Sequence, residues 1–300
     1  MKKILLHLLW LPLLLMACQD KQARLLSQLE HTIQEKFDTV EGEFALAYIH
    51  LSRSGDQVLM RENALFHAAS TMKTPVMIEV YEQANEGKFS LNDSILVKNE
   101  FQSIVDSSLY SMELGEDSEE HLYDQIGQYT TIRNLVDAMI TRSSNLATNI
   151  LIEKVDADRV TLRMRQLGAP NIIVLRGVED TKAYEAGLSN ETSAIDLANI
   201  FKALADHEVV SEEASEEMLG VLKEQEFNDL IPAQLPEEVV VAHKTGWITG
   251  VRHDSGAVYL PDGQRYILVI LSKGLEDDQA GKEVIAEVSK LIYEHAITPF

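Results

Sequence analysis

Cysteine occurs once in this 300-residue chain, at Cys18, so no internal disulfide can hold the fold. Basic residues are few beside acidic ones: 26 Lys and Arg against 48 Asp and Glu, a formal charge of −22. No basic stripe exists to meet phosphates, which excludes nucleic acid as a partner. The acidic surface serves solubility instead. The nine histidines fall in no H-x-H or H-E-x-x-H arrangement, so no metal site is expected. His67, His243 and His253 read as packing or hydrogen-bonding residues. A glycine-rich phosphate loop is also lacking, and no cofactor is expected. Internal repeats and low-complexity linkers are missing as well.

One long apolar run stands at the N-terminus. Ile4 to Leu15, broken by His7 and Pro12, follows Lys2 and Lys3 and leads into Leu15-Met16-Ala17-Cys18. It is too short to span a bilayer and has the flanks of a signal peptide. The L-x-A-C ending resembles a bacterial lipoprotein signal, residues 1–17, cleaved before Cys18 so that this thiol carries lipid. The reading is an exported, monomeric cell-envelope protein, anchored to a membrane through Cys18 and facing the periplasm or exterior. About 280 residues remain, enough for one large catalytic domain, 18–300.

Apolar residues at Leu25, Leu26, Leu29, Ile33 and Phe37 predict a helix over 22–37. Phe44 to His50 and Gln57 to Arg61, either side of Ser54-Gly55-Asp56, predict a β-hairpin. Ser70 to Glu86 reads as a buried helix with Pro75 in its first turn. Asn99 to Tyr129 is weakly periodic and crowds Glu113, Glu116, Asp117, Glu119 and Glu120 together. A solvated rim of helix and loop, with those acids on the surface, is expected there. Thr131 to Thr141 and Asn145 to Val155 read as helices meeting at Ser143-Ser144. Arg176 to Asn190 is a long polar connection, of the kind that carries function inside compact domains. After Thr192 and Ser193 a helix runs through Leu204. Val239 to His243, Ser255 to Leu260 and Tyr266 to Ser272 read as strands, and Gln279 to His295 as a closing helix. Strands at both ends around a helical middle imply an α+β fold. Its antiparallel sheet is built from both termini (about 22–66 and 205–300), is flanked by helices, and carries an inserted all-α subdomain (about 67–204).

Three motifs follow in order: Ser70-Thr71-Met72-Lys73, Ser143-Ser144-Asn145 and Lys244-Thr245-Gly246. Each alone is weak. About one S-x-x-K is expected by chance in a chain this long, and Ser90-Leu91-Asn92 is a decoy for the second motif. Order and wide spacing carry the inference. Ser70 at a helix start places Oγ where the macrodipole favours developing negative charge. Lys73 shares that helix face and can reach Oγ. Among Phe66, Met72 and Met77 it acts either as a base of lowered pKa or as a cation stabilising the alkoxide. Lys244, read at a strand end, can hold a carboxylate with Thr245, and Gly246 lets a substrate backbone approach. The backbone N–H groups of Ser70 and Trp247 would form an oxyanion hole, and Arg252 or His253 would extend the carboxylate site. The bland readings are an N-cap serine before a surface lysine, a helix junction, a strand entering a turn, and a surface arginine.

These motifs resemble those of class A β-lactamases and penicillin-binding proteins, over nearly the whole mature length. The resemblance implies that Ser143 passes a proton to the leaving nitrogen and that Asn145 binds the substrate's side-chain amide. In that family the middle residue of the second motif is usually Asp; Ser144 removes a carboxylate that braces the loop. The family's deacylation base is a loop glutamate, and Glu179 lies 34 residues beyond Asn145. Arg176 and Glu191 bracket this loop and could close it as an ion pair. The pattern departs twice: the arginine stands three residues before the glutamate rather than two, and Ala183 takes the place of a water-holding asparagine. On the bland reading Glu179, Asp180 and Glu185 are solvated loop acids. The expected function is a serine hydrolase of class A β-lactamase type, opening the β-lactam amide through a Ser70 acyl-enzyme. The alternatives are a D,D-peptidase acting on peptidoglycan stem peptides and a β-lactam or cell-wall sensor that acylates and stops.

Overall fold

The computed structural model describes residues 10–298, with side chains from residue 21 onward except that of Glu116. The start of the signal segment and the Cys18 thiol lie outside the described residues and side chains. Among the described residues, no helix is long and apolar enough to cross a membrane.

The helices are α1 (Trp10–Phe37), α2 (Lys73–Asn85), α3 (Ile132–Thr141), α4 (Asn145–Val155), α5 (Ala157–Gln166), α6 (Thr181–Glu185), α7 (Ala194–Ala205), α8 (Glu212–Lys223) and α9 (Asp278–Ala296). Strands are β1 (Glu43–His50), β2 (Gln57–Met60), β3 (Phe66–His67), β4 (Ser94–Leu96), β5 (Phe101–Gln102), β6 (Leu109–Tyr110), β7 (Tyr129–Thr131), β8 (Glu191–Thr192), β9 (Val240–Ile248), β10 (Val251–Tyr259) and β11 (Arg265–Lys273). One five-stranded antiparallel sheet, in the order β2-β1-β11-β10-β9, joins the two ends of the chain. This is the α+β architecture expected.

Strand β1 is buried along almost its whole length because both faces of the sheet are covered. Side chains alternate between faces. Leu46, Tyr48, Leu268 and Ile270 meet Ile33 of α1 and Ile285 and Ile292 of α9. Ala45, Ala47, Ile267 and Val269 meet Leu197 and Phe201 of α7 and the helical layer behind them. Each fully buried side chain of Leu or Ile size contributes roughly 1.5–3 kcal/mol. Helix α2 is buried along most of its length, and of its two acids Glu79 is buried while Glu82 is half-buried. Glu79 lies 3.6 Å from Arg159 and 3.5 Å from Arg163, both on α5, and accepts from Gln83 at 2.8 Å. Such a charge stays buried only because it is paired. That central helix carries Lys73.

Several expectations need correction. Helix α1 extends N-terminal to Gln22 and is described from Trp10 onward. The Ser70 segment opens as a 3₁₀ turn, Ala69–Met72, before α2 proper. Asn99 to Tyr129 forms short strands and 3₁₀ turns rather than α-helix. Within it Asp117 and Glu119 are buried, not surface acids. Asp117 meets backbone amides of α4, and Glu119 pairs with Arg142. Lys244 lies inside β9 rather than at a strand end, since β10 pairs with that strand as far as Ile248.

Candidate active site

Strain marks the nucleophile turn. Ala69, beside Ser70, sits at φ +45°, a region costly for any residue but glycine. Two histidines hold it there. Ala69 N donates to His67 Nδ1 at 3.0 Å, and His253 Nε2 donates to His67 O at 2.9 Å. Because His253 Nδ1 accepts from Ser272 N at 3.1 Å, its hydrogen is on Nε2. Burial pushes the His253 pKa down to about 4, so the ring stays neutral. Gly246 adds a steric condition. A Cβ there would lie 3.1 Å from Thr71 Cγ2 and 3.2 Å from Thr71 N, so glycine lets β9 close against the Ser70 turn.

Lys73 is fully buried. Its Nζ donates to Ser143 O at 2.7 Å, to Ser143 Oγ at 3.1 Å and to Asn145 Oδ1 at 2.8 Å. Desolvation lowers its pKa to about 7, against the opposing pull of the Asp117 and Glu179 carboxylates. From the other side Lys244 Nζ donates to Ser143 Oγ at 3.0 Å and to Thr245 O at 3.1 Å. Burial, then the Lys73 charge, hold the Lys244 pKa well below the usual lysine range, while Asp254 opposes them. Ser143, at φ +56°, thus lies between two lysines. With both lysines donating to Oγ, the hydroxyl's own hydrogen is left to point elsewhere.

The Ser143-Ser144-Asn145 loop is braced from outside the motif. Ser144 caps α4, its Oγ accepting from Ala147 N at 3.1 Å. Asp117 Oδ1 accepts from Asn145 N at 2.9 Å, and Oδ2 from Leu146 N at 2.8 Å. Nothing in the motif or its spacing pointed to this acid, which sat among four exposed-looking neighbours.

The 176–190 loop is closed differently from the expected ion pair. Arg176 is buried and donates to the carbonyls of Leu188 and Gly177, both at 2.9 Å, rather than pairing with Glu191. The reason is local: Glu191 lies in β8, paired with His67, while carbonyls at the loop's neck need donors. Asn190 Oδ1 completes the neck by accepting from Leu175 N at 2.8 Å and Arg176 N at 3.2 Å. Asp180 is no solvated acid. It is buried and accepts from Ser103 Oγ and Ile104 N at 2.9 Å each and from Ala183 N at 3.1 Å. Asn149 grips the backbone of Val178, a role the sequence reading missed; its signal was a position one helical turn after Asn145 on the same face. Glu179 itself is exposed at φ +60°, with Asn145 Nδ2 3.4 Å from its Oε1. Ala183 is buried and has no amide to offer.

These elements enclose a cavity of about 870 Å³ lined by Ser70, Ser143, Asn145, Glu179, Thr245, Gly246, Trp247 and Arg252. Eight of the expected site residues therefore converge, with Lys73 and Lys244 buried against Ser143. Trp247 is exposed at the rim. The Arg252 guanidinium lies 4.7 Å from that ring's centre and pairs with Asp278, so its charge is partly committed. Among the described residues no His, Cys, Asp or Glu group is arranged to hold a metal.

The family described as "Beta-lactamase enzyme family" matches residues 28–296. A β-lactamase of Bacteroides uniformis is 23% identical over 287 residues, 91% of this chain and 93% of that protein. β-Lactamase VEB-1 of Pseudomonas aeruginosa is 20% identical over 257 residues, covering 81% and 82%. Among solved structures, a PBP-A variant in acyl-enzyme complex with penicillin G superposes at TM-score 0.78 with 26% identity, covering 90% of this chain and 96% of that one. A β-lactamase from Chitinophaga pinensis superposes at TM-score 0.77 with 22% identity, covering 90% and 99%, a likeness of fold.

Proposed function

This chain belongs to the β-lactamase enzyme family, and we propose that it is a serine β-lactamase of class A type, opening the β-lactam amide through a Ser70 acyl-enzyme. One observation carries the reading: Ser143 Oγ is hydrogen-bonded to both Lys73 and Lys244 at the wall of the cavity that holds Ser70.

Ser70 Oγ attacks the lactam carbonyl as neutral Lys73 takes its proton, a division of labour suited to a lysine whose pKa is about 7. The N–H groups of Ser70 and Trp247 receive the oxyanion. Ser143 hands a proton to the leaving nitrogen and is resupplied from the lysine pair. Asn145 takes the substrate's side-chain amide, and Lys244 with Thr245, helped by Arg252, takes its carboxylate. Glu179 then activates water to release the product. No cofactor or metal takes part.

A second reading has its own support. Two residues after Arg176, where the family resemblance puts the glutamate, stands Val178, and this is the residue Asn149 grips. The acid that follows is exposed. On this reading the chain is a penicillin-binding protein that acts on peptidoglycan stem peptides as a D,D-peptidase, or a sensor that stops at the acyl stage. Intact-mass spectrometry after mixing with a penicillin separates these readings. An adduct that forms and decays supports the hydrolase; one that persists supports the second reading; and a wild-type rate of adduct formation in Ser70→Ala removes the nucleophile assignment from both. We also propose that Cys18 is lipidated and holds the protein at the cell envelope as a monomer. Cys18→Ser should then move it from the membrane to the soluble fraction, and persistence at the membrane would count against the anchor.

A further inference from the structure

Asp117 has an unusual set of partners for a carboxylate in an acidic stretch. It is 8% exposed, and its oxygens accept from Asn145 N at 2.9 Å, Leu146 N at 2.8 Å, Glu119 N at 3.1 Å and Tyr123 Oη at 3.2 Å, with Ser144 Oγ at 3.5 Å. Asn145 N and Leu146 N open α4 and have no acceptor within the helix. A carboxylate at that end is stabilised by the helix dipole and by charge-assisted hydrogen bonds. The next residue adds to the brace, since Ser118 Oγ donates to Ser143 O at 3.2 Å and Arg142 O at 2.7 Å.

We propose that Asp117 is a positioning residue for acylation: its carboxylate fixes the first turn of α4 so that Asn145 and Ser143 present their oxygens to Lys73. The geometry runs in one chain. Asp117 fixes the Asn145 backbone, Asn145 Oδ1 and Ser143 O each receive a Lys73 hydrogen, and the remaining Lys73 hydrogen reaches Ser143 Oγ. A neutral acceptor at 117 could satisfy only one of the two helix-opening amides. The side chain within the motif itself, Ser144, is committed to capping Ala147 N. This inference rests on the reading of Ser70 and Lys73 as the acylating pair.

A role confined to folding and a role in positioning part company in the pH profile. The charged groups facing Lys73 are Asp117, Glu179 and Lys244, and the first two favour its protonated form. Removing the Asp117 charge therefore moves the Lys73 titration to lower pH. The experiment measures acylation by a penicillin across pH, together with thermal unfolding, in full-length Asp117→Asn and in Asp117→Asn/Ser144→Asp. Loss of the charged hydrogen bonds should slow acylation by Asp117→Asn about ten- to a hundredfold and move its acid limb down in pH. The double variant, which returns a carboxylate to the first turn of α4 at its N-cap position, should recover most of the rate. Wild-type acylation in Asp117→Asn, or a lower melting temperature with an unmoved acid limb, would overturn the proposal. Should Asp117→Asn fail to fold, the double variant decides: recovery supports the role and no recovery overturns it. Failure of the underlying reading shows separately, as an adduct on Ser70→Ala.

Discussion

Asn149 holds Val178 as a strand would: Val178 N donates to Asn149 Oδ1 at 2.7 Å, and Asn149 Nδ2 donates to Val178 O at 2.9 Å. This buried amide fixes the loop backbone one residue before Glu179. The acid's position beside the cavity then depends on a left-handed backbone at Glu179, φ +60°. Hydrolytic competence turns on whether that placement suffices.

Glu179→Gln should leave penicillin acylation near the wild-type rate while the acyl-enzyme accumulates. Removal of a general base typically costs about 10²–10⁴-fold. Rapid-quench mass spectrometry resolves both steps. Equal decay in mutant and wild type would make Glu179 a bystander and direct attention to Glu185 or another water path.

Gly177 is the loop's steric hinge. A Cβ there would come within 2.3 Å of Asn149 Oδ1, so Gly177→Ala must break the Asn149–Val178 pairing or shift the loop. A destabilisation of about 1–3 kcal/mol is expected, the range for overpacking. Deacylation should suffer more than acylation, because the loop bears Glu179 and not Ser70. An unchanged melting temperature would show that the loop accommodates the methyl without this clamp.

Lys73 predicts linked effects on rate and stability. If its neutral form is the base, acylation should rise with pH through about 7. The sign for stability follows from the lowered pKa. Above about 7 the folded state gives up this proton while the unfolded chain keeps it up to the ordinary lysine range near 10.5. Unfolding free energy therefore increases with pH across that window. Lys73→Met should abolish acylation, raise stability at neutral pH and flatten the increase. Urea titrations at several pH values test this, and a destabilised Lys73→Met would contradict it.

Lys244→Ala should slow acylation of every substrate, because it removes a 3.0 Å hydrogen bond to Ser143 Oγ. β-Lactams with the ring carboxylate should lose more, by about 1.5–3 kcal/mol, the range for a charged hydrogen bond. Comparing acylation rates for a carboxylated and an uncharged β-lactam isolates that difference. No difference would leave Lys244 with the Ser143 role alone.

Much of this protein was legible as local pattern. The hairpin of β1 and β2, the helix pair α3 and α4, the closing helix α9 and the three strands near the C-terminus follow from periodicity and turn residues. So do the three motifs, which tertiary structure brings to one cavity. Helices α5 and α8 carry few buried apolar residues among many charged ones, too little apolar pattern to be legible in the sequence. What the chain could not reveal locally are pairings between distant positions. Ser143 meets Lys73 from 70 residues away and Lys244 from 101. Asp117 reaches Asn145 across 28, from a stretch whose composition resembles solvated surface. Burial decides these cases. An acid, an arginine or a lysine has the same one-letter appearance in water and in the core, and only the fold supplies the low dielectric and the partners that turn it into a brace, a clamp or a base.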